Sequence, residues 1–249
     1  MIWNACLGAE QIKPIHETPW RVVEAQHILS TRDLVDNTEE HDMLELLLDK
    51  TKPAISSLKH YLIFSPFRYP PLHHGSRFGT TLEPSLWYGS IKLETAFAET
   101  AYYLWLFLSH TSANFDTIER NQTAFQTTIK TNQGIDLTIA PFDTYKDVIS
   151  NKANYHESQQ LGKAMRNQAI DAFIYYSART TSTEKNIALF NDHPFSEKQT
   201  SYINHLQNWQ CFGSKHLVEF YREDALGVKQ HRFNFNDFFH ENFGWQYCL

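Results

Sequence analysis

The sequence predicts an α+β fold, a mixed core of short strands with flanking helices, preceded by a mostly helical extension. Short apolar and β-branched runs dominate the second half, with few long helices between them, which suits an α+β or mostly β domain. The chain carries no GxGxxG after a strand and no GxxxxGK[ST], so a doubly wound nucleotide-binding sheet is disfavoured. With 249 residues, the chain suits one domain with an embellishment better than two equal halves.

Residues 1–59 read as a helical or irregular preface. Within it, Thr38 is followed by Glu39, Glu40 and the run MLELLLDK, the pattern of a capped helix with acids in its first turn and Lys50 at its end. HYLIFSPF, residues 60–67, is a short apolar run bounded by Pro66 and predicts the first core strand. Pro70, Pro71 and Gly75 then force a loop. A short aromatic strand ends near Tyr88, turns at Gly89-Ser90, and leads into the apolar helix around Thr95 to Leu108. That helix is shorter than the roughly 20 residues that span a bilayer, and it contains Glu99.

Residues 113–121 read as linker, and AFQTTIKT and GIDLTIAPF as two strands of a hairpin turning at Asn132-Gln133-Gly134. Ser158 to Gln168 predicts a short amphipathic helix, because Leu161, Ala164 and Met165 share a face. DAFIYYSAR predicts a continuous apolar strand stopping at Ser177, TTSTEK a polar loop, and NIALF a strand beginning at Asn186. HLVEFY and VKQHRFNF complete the set of strands, and FNDFFHENF forms an aromatic tail. The expected division is an extension over 1–59, a core over 60–225 and an aromatic segment over 226–249 that packs on it.

Composition narrows the function. An apolar fraction of 42% with 14% aromatic residues fits a folded globular protein. A net charge of -6 disfavours a large nucleic-acid footprint, which needs clustered Lys and Arg to release counterions. A small anionic ligand held by a few arginines is compatible with it. Cys6, Cys211 and Cys248 are widely spaced and form no CxxC pattern, so a reducing cytoplasm is expected. The first residues, MIWNACLGAEQIKP, do not read as a signal peptide. His73 and His74 are adjacent, with no acid or histidine cluster at ligand spacing to support them, so no metal centre is expected.

Glu99 is the anomaly of the apolar helix. Burying an unpaired charge costs several kcal/mol, so a lone acid there is either paired to an arginine or chemically employed. Arg68 and Arg77 flank the stiff loop and could bracket a pyrophosphate with their planar forks, or could be solvated charges. Tyr88 suits core packing as well as stacking on a ring. Ser177 has no GxSxG elbow around it and is not read as a nucleophile; a turn residue or a pocket donor both fit. Asn186 could cap its own loop or line a pocket.

The order of these pieces is more specific than any one of them. Arg68, Arg77-Phe78, Leu86-Trp87-Tyr88, Ala96-Phe97-Ala98-Glu99, Tyr175-Tyr176-Ser177 and Asn186 to Phe190, with Arg77, Tyr88 and Glu99 evenly eleven apart, resemble the RES domain family over roughly residues 60–225. Members are commonly toxins of bacterial toxin and antitoxin pairs. The resemblance implies a fold similar to ADP-ribosyltransferases and an enzyme that consumes NAD as substrate, with no prosthetic group. By position, Arg68 and Arg77 would hold phosphates and ribose, Tyr88 would pack against nicotinamide, Glu99 would serve the reacting ribose, and Ser177 and Asn186 would line the pocket. Arg77 and Glu99 are thus the catalytic candidates. The spacing from Arg68 to Arg77 is shorter and richer in Pro than in many members.

Two activities follow from that resemblance, a glycohydrolase or phosphorylase degrading NAD and an ADP-ribosyltransferase modifying a protein, while a non-catalytic nucleotide or partner-binding module is the alternative from another class. The resemblance also implies a helix-turn-helix antitoxin as partner. No membrane partner is expected, and homo-oligomerisation is left open.

Overall fold

Eleven strands form one sheet with helices on both faces, seen in a computed structural model that describes residues 1–25, 34–51, 59–112, 116–180, 183–225 and 227–238. In chain order the elements are α1 (Ile2–Ala5), β1 (Lys13–Glu17), β2 (Trp20–Glu24), α2 (Thr38–Thr51), α3 (Tyr61–Arg68), β3 (Trp87–Ser90) and α4 (Leu93–His110). They continue with β4 (Thr117–Gln126), β5 (Thr128–Asp136), α5 (Lys146–Ile149), α6 (His156–Asn167), β6 (Ala172–Tyr176) and β7 (Lys185–Leu189). The last are β8 (Phe195–Ser196), β9 (Asn204–Ser214), β10 (Leu217–Asp224), β11 (Gly227–Asn234) and α7 (Phe235–Phe238). The strand order is β1-β5-β6-β7-β3-β2-β4-β9-β10-β11, with β8 added to β5. β5 and β6 pair in parallel, and the other pairs are antiparallel.

The expected α+β class holds, and α4, α6, β6 and β7 lie where the hydrophobic periodicity put them. Alternation along the central strands sorts side chains onto two faces. Ala172, Ile174, Ile187 and Leu189 bury one face with Trp87 and with Leu62 and Ile63 of α3. Phe173, Tyr175 and Ala188 bury the other, together with Phe78, Leu161 and Met165. α4 lays Phe97, Ala98, Ala101 and Tyr102 against Trp209, Cys211, Val218 and Phe220 of the second half of the sheet.

Several expectations are corrected. Residues 60–67 are not a strand. His60 accepts a hydrogen bond from the Leu62 amide at its Nδ1 (3.2 Å) and caps α3, whose Leu62, Ile63 and Phe67 recur at helical spacing toward the sheet. The preface is not only helical or irregular, since β1 and β2 are strands of the main sheet, β2 lying between β3 and β4. Gly89 and Ser90 continue β3 instead of turning.

β4 begins at Thr117, inside the expected linker. The expected hairpin is absent: β4 pairs with β2 and β9, and residues 128–136 run straight through Asn132-Gln133-Gly134 as one strand. Gly134 serves close packing there, because an added Cβ would lie 2.5 Å from Cγ1 of Ile15. β9 was not expected from sequence. Phe238 of the aromatic tail is buried against the α4 cluster; the tail beyond it, and part of the TTSTEK loop, lie outside the described residues.

Candidate active site

A cleft of about 740 Å³ opens between α4, the middle of the sheet around β3 and the loop that carries Arg77. Its floor is a row of side chains set by strand register. Ser90 of β3 faces Asn186 of β7, which faces Tyr175 of β6. Tyr88, two residues before Ser90, points to the same side. Ser177 follows Tyr175 by the same step, just past the end of β6.

α4 brings Glu99 down onto this row. The Ser177 hydroxyl and the Asn186 side-chain amide both donate to Oε1 of Glu99, each at 2.7 Å. Ser90 Oγ donates to Oδ1 of Asn186 at 2.7 Å, and this fixes the amide so that its nitrogen faces the carboxylate. Glu99 therefore has one oxygen pinned, while Oε2 has no hydrogen-bond partner among the described residues. No arginine or lysine lies within ion-pair distance of Glu99 among the described residues. The carboxylate is held by neutral donors, and among the described residues it forms no structural pair with an arginine.

Arg77 is 8% exposed and lines the cleft. Its Nη1 donates to the Asn151 carbonyl at 2.6 Å, and its guanidinium lies over the Tyr155 ring, 4.6 Å from the centroid. α6 clamps the backbone on either side: Ser158 Oγ donates to the Arg77 carbonyl (2.7 Å) and Gln159 Nε2 to the Ser76 carbonyl (3.0 Å). Gly162 makes the approach feasible, because a Cβ there would sit 2.1 Å from the Phe78 carbonyl oxygen.

Tyr88 closes the same loop from the sheet side. Its hydroxyl accepts from the Phe78 amide (3.3 Å) and shares a hydrogen bond with Ser76 Oγ (2.9 Å). Burial pushes the Tyr88 phenol above its ordinary value, and burial together with the Glu99 carboxylate does the same for Tyr175. Both hydroxyls stay protonated at neutral pH.

The sequence candidates Arg77, Tyr88, Glu99, Ser177 and Asn186 thus meet at one site, with Ser177 behind Glu99. Arg68 does not join them. It ends α3, which packs on the opposite face of the sheet, and it does not line the cleft. Its expected place beside Arg77 is corrected accordingly.

Three residues escaped the sequence reading. Ser90 was taken for a turn. Tyr155 sits before α6 in no motif. Arg179, two residues after Ser177, is 5% exposed and donates from Nη2 to the Tyr155 hydroxyl (2.9 Å). A basic residue closing the apolar run DAFIYYSAR was the available signal for it. Burial works against the Arg179 charge, but Tyr155, Tyr102 and Glu99 outweigh it and raise the guanidinium above its ordinary value. Two further walls of the cleft come from Trp20 and Val22 of β2 and from Phe235 and Phe238 of α7.

Among the described residues no helix is long and apolar enough to cross a membrane. No curated protein shows a significant match to the chain. The model of the RES domain matches residues 54–210 and so spans well over half of the sequence, including Arg77, Tyr88, Glu99, Ser177 and Asn186; the chain belongs to the RES domain family.

Proposed function

We propose that the chain cleaves the bond between nicotinamide and ribose in NAD, on a fold of the ADP-ribosyltransferase type, and acts as a toxin. The observation that carries this reading is the Glu99 carboxylate, pinned at Oε1 by Ser177 and Asn186 and, among the described residues, unpartnered at Oε2, in a cleft that Arg77 also lines. The cleft volume of about 740 Å³ lies in the range of small-molecule sites, roughly 300–1,000 Å³.

Bond cleavage sends the C–N electron pair with nicotinamide, which departs neutral and leaves an oxocarbenium-like ribose. A carboxylate oxygen beside the anomeric carbon stabilises that positive charge or accepts a hydrogen bond from a ribose hydroxyl. Oε2 of Glu99 is suited to either task because it spends no bond on the protein. Arg77 offers charge-assisted bonds to the phosphates. An acceptor oxygen then forms the new bond to the anomeric carbon. Water gives ADP-ribose and a proton, phosphate gives a phosphorylated ADP-ribose, and a protein side chain gives an ADP-ribosylated protein.

The family resemblance supports a cognate helix-turn-helix antitoxin that covers the cleft. The buried free thiols Cys6 and Cys211 suit a reducing cytoplasm.

Incubation of folded protein with NAD, with and without phosphate, followed by mass analysis of the products tests the reading. Nicotinamide release is expected, and Glu99→Gln lowers it by roughly 10²–10⁴-fold. Intact NAD after prolonged incubation overturns the proposal. Label moving from NAD onto a macromolecule identifies the transferase activity instead.

A further inference from the structure

The cleft contains a second buried guanidinium that the chemistry above leaves unused. Arg179 and Arg77 are 5% and 8% exposed, both line the cleft, and neither has a carboxylate within ion-pair distance among the described residues. They converge on Tyr155, Arg77 over its ring at 4.6 Å and Arg179 through its hydroxyl at 2.9 Å. The guanidinium of Arg179 also lies over the Tyr102 ring, 3.4 Å from its centroid. Its Nε is buried with no acceptor. Lys152, next to the carbonyl that holds Arg77, lines the cleft as well.

A buried donor without an acceptor is costly in the empty protein. The arrangement becomes favourable when an anion enters. Aromatic rings hold the flat faces of both guanidiniums, and the N–H groups not spent on the Asn151 carbonyl and the Tyr155 hydroxyl are left for a ligand. Planar forks of this kind match phosphate oxygens.

We infer that Arg179 and Arg77 form a two-guanidinium seat for a phosphate group, with Tyr155 as the residue that positions them. The Arg179 backbone amide donates to Ser177 Oγ at 3.1 Å, and that hydroxyl donates to Glu99, so the seat is tied to the carboxylate by two consecutive hydrogen bonds. The phosphate has two sources: the pyrophosphate of a dinucleotide, or free inorganic phosphate arriving as acceptor. Both uses rest on the proposed NAD chemistry, whereas anion binding itself does not.

Calorimetry of the full chain with inorganic pyrophosphate and with inorganic phosphate, alongside NAD kinetics, separates these. Arg179→Gln is expected to weaken binding of at least one anion tenfold or more, and Arg179→Lys, which keeps the charge but loses the fork, to weaken it less. Tyr155→Phe keeps the ring under Arg77 and removes the hydroxyl that Arg179 bonds, so a smaller loss is expected. If the dinucleotide supplies the phosphate, the KM for NAD rises by a larger factor than kcat falls. If free phosphate is the occupant, the KM for NAD holds and stimulation by phosphate is lost. Wild-type affinity for both anions in folded Arg179→Gln overturns the seat, even where NAD is consumed. Should that variant fail to fold, unchanged anion affinity in both Arg179→Lys and Tyr155→Phe overturns it. Anion binding that falls in these variants, in a protein that leaves NAD intact, supports the seat and sinks the NAD reading alone.

Discussion

Ser177, one residue past the end of β6, donates its hydroxyl proton to Oε1 of Glu99 at 2.7 Å, across 78 residues of chain. The bond explains why a serine outside any nucleophile elbow belongs in the site: it orients a carboxylate. Hydrogen bonds to charged groups are worth about 1.5–3 kcal/mol. Ser177→Ala is therefore expected to lower kcat/KM roughly tenfold or more. Asn186 donates to the same oxygen, so the two losses share a partner and should not add. Steady-state kinetics of Ser177→Ala, Asn186→Ala and the double variant check this, and strict additivity would count against a shared role.

Tyr88 performs a similar service for Arg77. Its hydroxyl takes the Phe78 amide and bonds Ser76 Oγ, which fixes the backbone on both sides of the arginine. Tyr88→Phe keeps the ring and orphans that amide, at a cost of about 1–3 kcal/mol. The expected outcome is a lower melting temperature together with a raised KM for NAD, because the displaced Arg77 is the group proposed to hold the phosphates. A variant with wild-type KM would show that Tyr88 only packs.

Much of the site was legible because its chemistry interrupts strong patterns. Glu99 stands out as one acid on an apolar helix, and Ser177 and Asn186 punctuate two continuous apolar strands. Signals failed where pairing is non-local or half-exposed. β9 buries Trp209, Cys211 and Gly213 while exposing Gln210 between them, and its Asn and Gln residues hide the alternation. The Asn-Gln-Gly signature suggested a turn, yet β1 and β6 claim both edges of that strand and hold it straight. Arg68 was misplaced because the apolar run before it fits a strand or a helix equally by length. As a helix, that run lies behind the sheet. Arg179 and Tyr155 meet only through tertiary folding.

Gly162 sets two effects against each other. Alanine would gain up to about 1 kcal/mol in helix propensity. Its Cβ, however, would stand 2.1 Å from the Phe78 carbonyl oxygen, and a backbone atom cannot rotate aside. Overpacking of this kind costs about 1–3 kcal/mol, so Gly162→Ala is expected to be destabilised overall. α6 must shift away from the segment whose Ser76 and Arg77 carbonyls it holds. Activity should accordingly fall even in the fraction that remains folded, measurable by comparing specific activity with circular dichroism at one temperature.

Burial in β9 pushes the Cys211 thiol from an ordinary value of 9.0 up to about 12, with Arg120 opposing and Glu24 reinforcing. The unfolded thiol ionises near 9 while the folded one keeps its proton, so the stability linked to this group is complete below pH 9 and is lost as pH rises toward 12. Between pH 8 and pH 10 that loss comes to about 1.4 kcal/mol. Cys6 is shifted the same way by burial and by Asp143, and contributes in the same window. Cys211→Ala lowers stability at pH 8 through lost packing, yet its further decline by pH 10 should be smaller than that of the wild type by about the same 1.4 kcal/mol. Urea denaturation at the two pH values measures both declines, and equal declines in the two proteins would mean that the thiol is ionised as readily in the fold as outside it.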